Sequence, residues 1–431
     1  MKMKKVIAML LTGCMAVGTL GMSTVVYAED DAAQGAPKEI SMWVYQEDMQ
    51  KVVDEFEKTH PDIHVEVVIV ADQDYEQKLQ TSLAAGTGIP DIITMNGGVS
   101  DAVAAFDIYE DLEQEPYNFD KTLIPESYWP KMTNEEGKII GIASEQAFAG
   151  LAYRKEPVKE LLGTDDPKEL EAMLPDWNSF IEVGQKVKEE TDGKTFMLSS
   201  LGEAAQILSK QTQETMVTDK TVNLDGEFKT RVIDNIIAMR DTGVADRLTF
   251  GSAAWLASFT SDDYLFRAAP LWSPEWWFKA NDPDGVDKWG LMNIPEGNVH
   301  FGGGIYSITQ YSENKEAAWE FLQWMLLSKE GANVTRDALG WSVAYKEAYD
   351  DPDYTVMTNP NFGDVNIGEK YFNDISQNVV MHPVSVYDSD IQGAWEIALE
   401  VVNKDDSVDG DGFLSMVKDE LMLKNAELTI E

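Results

Sequence analysis

Residues 40–45 (ISMWVY) predict a strand, with Trp43 and Tyr45 near its carboxyl end. Residues 47–59 then place Met49, Val52, Val53 and Phe56 on one helical face. Beyond Pro61, residues 63–69 (IHVEVVI) alternate as a strand does. Tyr75, Leu79 and Leu83 fall four apart, on one face of a second helix. Asp72 and Asp74 stand where its cap belongs, and Gly86 where it should stop. Pro90 forbids helix, so residues 91–95 read as a short buried strand carrying Ile92 and Ile93. This alternation of strands and helices begins a parallel, doubly wound sheet. Ligands of such sheets bind off the carboxyl ends of the strands. Asn96, and the turn through Gly97 that follows this third strand, are therefore expected to form one wall of a ligand cleft.

Further along, residues 101–106 predict a short helix and residues 109–128 a loop-rich stretch. Residues 150–154 predict a strand, and helices are expected from Asp176 through Val187 and over 226–241. Residues 289–295 read as a strand crossing. Gly302, Gly303 and Gly304 lead into a strand at 305–309, and a long helix covers 315–327. Residues 249–281 are dense in aromatics, among them Trp255, Trp272, Trp276 and Trp277. At 431 residues the chain exceeds one ordinary core, so two domains are expected. It shows no internal repeat and no low-complexity linker, which favours interleaved domains over domains in series.

The amino terminus changes the picture of where the protein works. Residues 1–28 join a basic start (Lys2, Lys4, Lys5) to an apolar stretch and end in Val26-Tyr27-Ala28, the pattern of a cleaved signal peptide. A second reading stands beside it. Leu11-Thr12-Gly13-Cys14 resembles the lipobox of bacterial lipoproteins, with Cys14 as the lipidated residue. Both readings place the protein outside the cytoplasm, secreted or lipid-anchored. Cys14 is the only cysteine, so cleavage after Ala28 leaves no disulfide and no cysteine metal site. The formal charge is −42, and loss of the three leader lysines makes it more negative still. That repels nucleic acid and anionic membrane surfaces, and it weakly favours a neutral or cationic solute. No metal, cofactor or catalytic motif emerges: the four histidines lack ligand spacing, and a calcium-like run at 405–411 has Met416 where the bidentate glutamate belongs.

Several segments together resemble one family. Phe56-Glu57-Lys58 with Pro61, Tyr75 with Lys78 and Leu79, Pro90-Asp91-Ile92, Tyr153-Arg154-Lys155, and Gly303-Gly304 before Ile305 are among the matches. The run from Asn314 to Leu322, followed by Lys329-Glu330-Gly331, is the most recognisable. In this order they resemble the bacterial extracellular solute-binding proteins that deliver sugars to ABC importers, the maltose-binding-protein-like group. The resemblance implies an α/β fold of two lobes, with doubly wound sheets joined by hinge crossings and the ligand between. It divides the chain into 38–142 with 296–328, and 143–295 with 329–431, hinged near Ile142, Ile294 and Ser328. It implies cleft positions at Tyr45, Gln46 and Glu47, at Asn96 and Gly97, at Glu145 and Gln146, at Trp272, and at Gly303 and Gly304. The chain departs from the family pattern in Tyr153-Arg154-Lys155, where asparagine often follows the tyrosine, and in the added Ser273-Pro274-Glu275-Trp276-Trp277.

Tryptophan suits a sugar site because its flat apolar face covers the C–H face of a pyranose, while carboxylates and amides meet the hydroxyls. Any one tryptophan is more often packed in a core. With 12 in the chain, Trp272, Trp276, Trp43 and Trp341 are candidate platforms, and Trp177, Trp289, Trp319 and Trp324 are expected to be packing residues. The expected function is capture of a mono- or oligosaccharide by a monomer and its delivery to a membrane permease, without catalysis, cofactor or nucleic acid. The alternatives are a non-sugar solute, such as a polyamine or glycerol-phosphate compound, and, behind it, an exported glycoside hydrolase.

Overall fold

The computed structural model of the protein describes residues 37–95, 103–104, 106–134, 136–383, 385 and 387–430. Cys14, Ala28, Asn96 and Gly97, and most of the helix expected at 101–106, lie outside the described residues.

The first sheet has five strands, in the order Ile63–Ile69, Lys38–Val44, Ile92–Met95, Ile305–Ile308 and Ile142–Ala143. The first three run parallel and are joined by helices Met49–Thr59 and Asp72–Ala85, as the amino-terminal pattern predicts. Met49, Val52, Val53 and Phe56 bury the predicted face. The second helix opens at Asp72 behind an extended Ala71, so Asp72 starts the helix rather than capping it; it stops at Gly86, whose φ of 66° favours glycine. Tyr75 ties this helix to the sheet: its hydroxyl donates to the Trp43 carbonyl at 3.1 Å and accepts from the Thr94 amide at 3.1 Å. Ile305–Ile308 enters the sheet antiparallel to Ile92–Met95.

The second sheet is built differently. Its central strand, Phe148–Arg154, pairs antiparallel with Phe266–Pro270, Trp289–Met292 and Val299–His300. All seven of its residues are buried. Side chains alternate across a strand, and here Ala149, Leu151 and Tyr153 enter one core while Phe148 and Ala152 enter another.

The core on the first sheet also takes in helices Lys315–Leu327 and Lys329–Leu339 and the chain on to Tyr354. These two helices turn sharply at Ser328, whose hydroxyl donates to the Trp324 carbonyl at 2.6 Å and accepts from the Gly331 amide at 3.0 Å. The polypeptide passes from the first sheet to the second between Ala143 and Phe148, and returns between His300 and Ile305. The two crossings are bonded to each other. The Ser144 amide donates to the Gly304 carbonyl at 2.9 Å, and the Phe301 amide to the Ala147 carbonyl at 2.6 Å. Among the described residues, no helix is long and apolar enough to cross a membrane.

Candidate binding site

A cavity of about 380 Å³ lies between residues of the first core and residues of the second. It adjoins a space of about 510 Å³ beside Gln146 and Tyr349, with Ser127, His300 and Met381 lining both.

One wall comes from a short turn, Glu126–Tyr128, running into the helix Trp129–Met132. Pro130 fits in the first turn of that helix because no amide bond is required there. The Tyr128 hydroxyl donates to Gln146 Oε1 at 2.9 Å and accepts from the Ala147 amide at 3.2 Å, which anchors this wall to the first crossing. Burial keeps its phenol protonated well above the usual range. Its ring meets His300 edge-on, with centroids 5.1 Å apart. Burial, and then the nearby charge of Lys131, push His300 down to about 4, so the imidazole is neutral at neutral pH. Lys131 Nζ donates to the Gly303 carbonyl.

The facing wall is supplied by helix Leu201–Lys210, helix Asp388–Val402 and the loop after strand Phe266–Pro270. Ser200 caps the first of these, accepting from the Gly202 amide at 3.1 Å, and Lys210 closes it at the cavity. Lys210 Nζ donates to Gln206 Oε1 at 2.8 Å. Trp272 is half-buried, packs against both cores and donates its indole N–H to the Phe301 carbonyl at 3.0 Å. Trp277 meets it edge-on, with centroids 4.6 Å apart. Gly302 lets the indole lie against the returning crossing. Its φ is 96°, and a Cβ there would come within 3.2 Å of Trp272 Nε1.

The residues expected at the cleft fall into distinct places. Trp272 lines the cavity and Gln146 the adjoining space. Gly303 and Gly304 form the crossing between them and Ser144, with Gly303 at φ 80°. Glu145 is buried; its carboxylate accepts from the Ser144 hydroxyl, and burial raises its pKa. Tyr45 is half-buried and Glu47 exposed, while Gln46 is buried, its Oε1 with no hydrogen-bond partner among the described residues. Trp43 sits in the first core with Tyr75 against its edge and Lys78 Nζ over its ring at 4.2 Å. Trp341 belongs to the same core. Trp276 is 41% exposed and donates to the Leu339 carbonyl at 2.9 Å; it does not line the cavity. Of the expected packing tryptophans, Trp177 and Trp289 are fully buried. Sequence reasoning missed Tyr128, Lys131, Lys210, Phe250, His300 and Trp395 on the cavity walls. The one local signal was His300-Phe301 directly before the glycine run.

The family described as bacterial extracellular solute-binding protein matches residues 51–363. This chain belongs to that family. A curated relative, the lactose-binding protein of Rhizobium radiobacter, is 23% identical over 346 residues, covering 73% of this chain and 78% of its own. Among solved structures, an extracellular solute-binding protein of family 1 superposes with a TM-score of 0.78 at 22% identity, over 89% of this chain and 100% of that one. An ABC-transporter-associated binding protein from B. animalis subsp. lactis, solved with β-1,6-galactobiose, gives 0.72 at 18% identity, over 92% and 100%. These likenesses identify the fold as the two-lobed binding-protein architecture, and the cavity of this solute-binding protein lies between the core of the first sheet and one core of the second.

Lys210 gives the site a measurable pH signature. Burial pushes it down to about 8, with Asp388 and Glu396 opposing that shift. Between that value and the ordinary lysine range, the unfolded chain holds a proton that the folded one has released, so stability rises with pH across that window. Below about 8, both states are protonated and the folded state bears the desolvation penalty in full. Lys210→Gln is therefore expected to melt higher than the parent at neutral pH, with the difference shrinking as pH rises toward about 10. Melting curves of both proteins at neutral pH and near pH ~10 check this.

Proposed function

We propose that this solute-binding protein captures a mono- or oligosaccharide in the cavity between its cores and delivers it to the permease of an ABC importer. The observation that carries this reading is the composition of the walls: the aromatic side chains of Trp272, Phe250, Phe301 and Trp395 stand beside the hydrogen-bonding side chains of Gln206 and Gln392. Apolar faces with a few placed polar groups are what a pyranose requires. The sugar-binding relatives agree with it. Nothing in the described cavity favours a polyamine, since Asp388 is the only carboxylate lining it. The role is binding without turnover.

The packing supports a division into one lobe of residues 38–143 with 305–354 and another of 148–301 with 362–428. Helix Lys329–Leu339 goes with the first because Ala332 and Leu339 bury there. The protein acts as an exported monomer, and mass spectrometry of its native amino terminus separates cleavage after Ala28 from lipidation at Cys14. Isothermal calorimetry against a panel of mono- and oligosaccharides is expected to show one-to-one binding near micromolar, about −8 kcal/mol. A response to another solute class, with none to any sugar, would overturn the reading.

A further inference from the structure

The space that adjoins the proposed sugar site has a lining of its own kind. Charged residues make up 26% of the chain, yet among the described residues no lysine, arginine, aspartate or glutamate lines this space of about 510 Å³. Amides and rings face it instead: Gln146, Asn373 and Gln377 stand beside Tyr349 and Phe372. Tyr349 packs on the first core, and Phe372 on the core that Phe148 enters. The half-buried Phe372 ring is held by two others, Phe148 edge-on at 5.6 Å and Tyr349 at 5.2 Å. The Ser376 hydroxyl donates to the Phe372 carbonyl at 2.7 Å, which fixes the backbone beneath the ring. Gln146 Oε1 is taken up by the Tyr128 hydroxyl, so its amide is oriented and offers Nε2 as a donor.

The boundary between the two spaces suits a chain that passes from one to the other. Ser127, His300 and Met381 line both. His300 is neutral at neutral pH, so its ring offers one donor and one acceptor to hydroxyls. Met381 is exposed, and its unbranched side chain adapts to what lies against it. Each space alone exceeds the roughly 300 Å³ at which pockets for drug-sized ligands begin, and a lone hexose is much smaller than such ligands. We propose that the second space is a further sugar-binding subsite. The solute is then an oligosaccharide with at least one unit in each space, its glycosidic link crossing at His300 and Met381, and the unit beside Phe372 uncharged. This rests on the sugar reading above and names its class. Phe372 and Tyr349 supply apolar ring area for a pyranose, and the three amides meet its hydroxyls. A uronate, phosphate or ammonium group there would be desolvated without a counter-charge.

The test is calorimetry with ladders of galactose, glucose, mannose and xylose oligosaccharides, each running from the monosaccharide to the pentasaccharide. In the ladder that binds, affinity is expected to rise at least about tenfold from the monosaccharide to the longer members. Phe372→Ala, checked for a native melting curve, is expected to remove most of that rise, so that its loss of affinity grows with chain length. Trp272→Ala, by contrast, weakens every length. Asn373 is exposed, and Asn373→Ala should repeat the length-dependent loss at about threefold or more; it carries the comparison if Phe372→Ala fails to fold. A monosaccharide that binds as tightly as every longer sugar would overturn this proposal and leave the sugar reading standing. So would a rise with length that both variants leave intact, or a loss equal at all lengths. Binding of no sugar in any ladder would remove the sugar reading, and this proposal with it.

Discussion

Trp272→Ala is expected to weaken sugar binding by roughly 2 kcal/mol, about thirtyfold. Among the described aromatic side chains of the cavity, the indole is the one that packs against both the first and the second core while remaining half-buried. Removing it would take away the ring face proposed for the sugar and also the bond to the Phe301 carbonyl that holds the returning crossing. The same change therefore lowers stability, because Trp277 loses its edge-on partner. Trp272→Phe separates the two effects. It keeps a ring but loses the N–H, so it should recover part of the affinity while remaining less stable than the parent. Calorimetry and thermal melts on both variants check this. An alanine variant that melts early yet binds normally would assign Trp272 to packing alone.

Gly331→Ala is expected to lower stability by about 2–3 kcal/mol and the melting temperature by roughly 2–4 °C. A methyl group at this position would come within 1.8 Å of the Trp324 carbonyl oxygen and 2.9 Å of the Met325 Cα. Both are backbone atoms, so no side-chain rotation relieves the clash, and the turn between the two long helices has to open. Ser328 bridges that turn from both sides, so its bonds would be disturbed as well. The position is remote from the cavity, and the folded fraction should bind its sugar with unchanged affinity. A melt that matches the parent would show that the helix pair is looser than its geometry implies.

The first sheet was legible because each of its early elements carries its own period. Phe56 and its partners repeat every third or fourth residue, and residues 63–69 alternate. The second sheet was harder to read: Phe148–Arg154 is buried on both faces, so its sequence shows no alternation to follow. Trp272 was legible from the aromatic density around it and from the family resemblance. Tyr128, Lys131, Lys210 and Trp395 were not. They come from three remote segments, each ordinary by itself, and the crossings between the sheets bring them to one cavity. The resemblance pointed to Lys329-Glu330-Gly331, and the close approach of Gly331 to the Trp324 backbone supplies its physical reason.

The pairing of the two crossings has a mechanical consequence. A single connecting strand can twist, slide and bend, and the halves it joins would drift in every direction. Here the segment from Ser144 to Ala147 lies beside the segment from Phe301 to Gly304, with backbone hydrogen bonds between them at both ends. Such a ribbon behaves as a leaf spring: it is soft to bending across its width and stiff to shear along it, because sliding would break both bonds at once. Gly302 and Gly303, at φ 96° and 80°, sit in the part that has to flex. The expected motion of the two proposed lobes is therefore a bend at this ribbon, and the permease of the proposed importer, sampling that bend, would read an occupied site from an empty one without touching the solute.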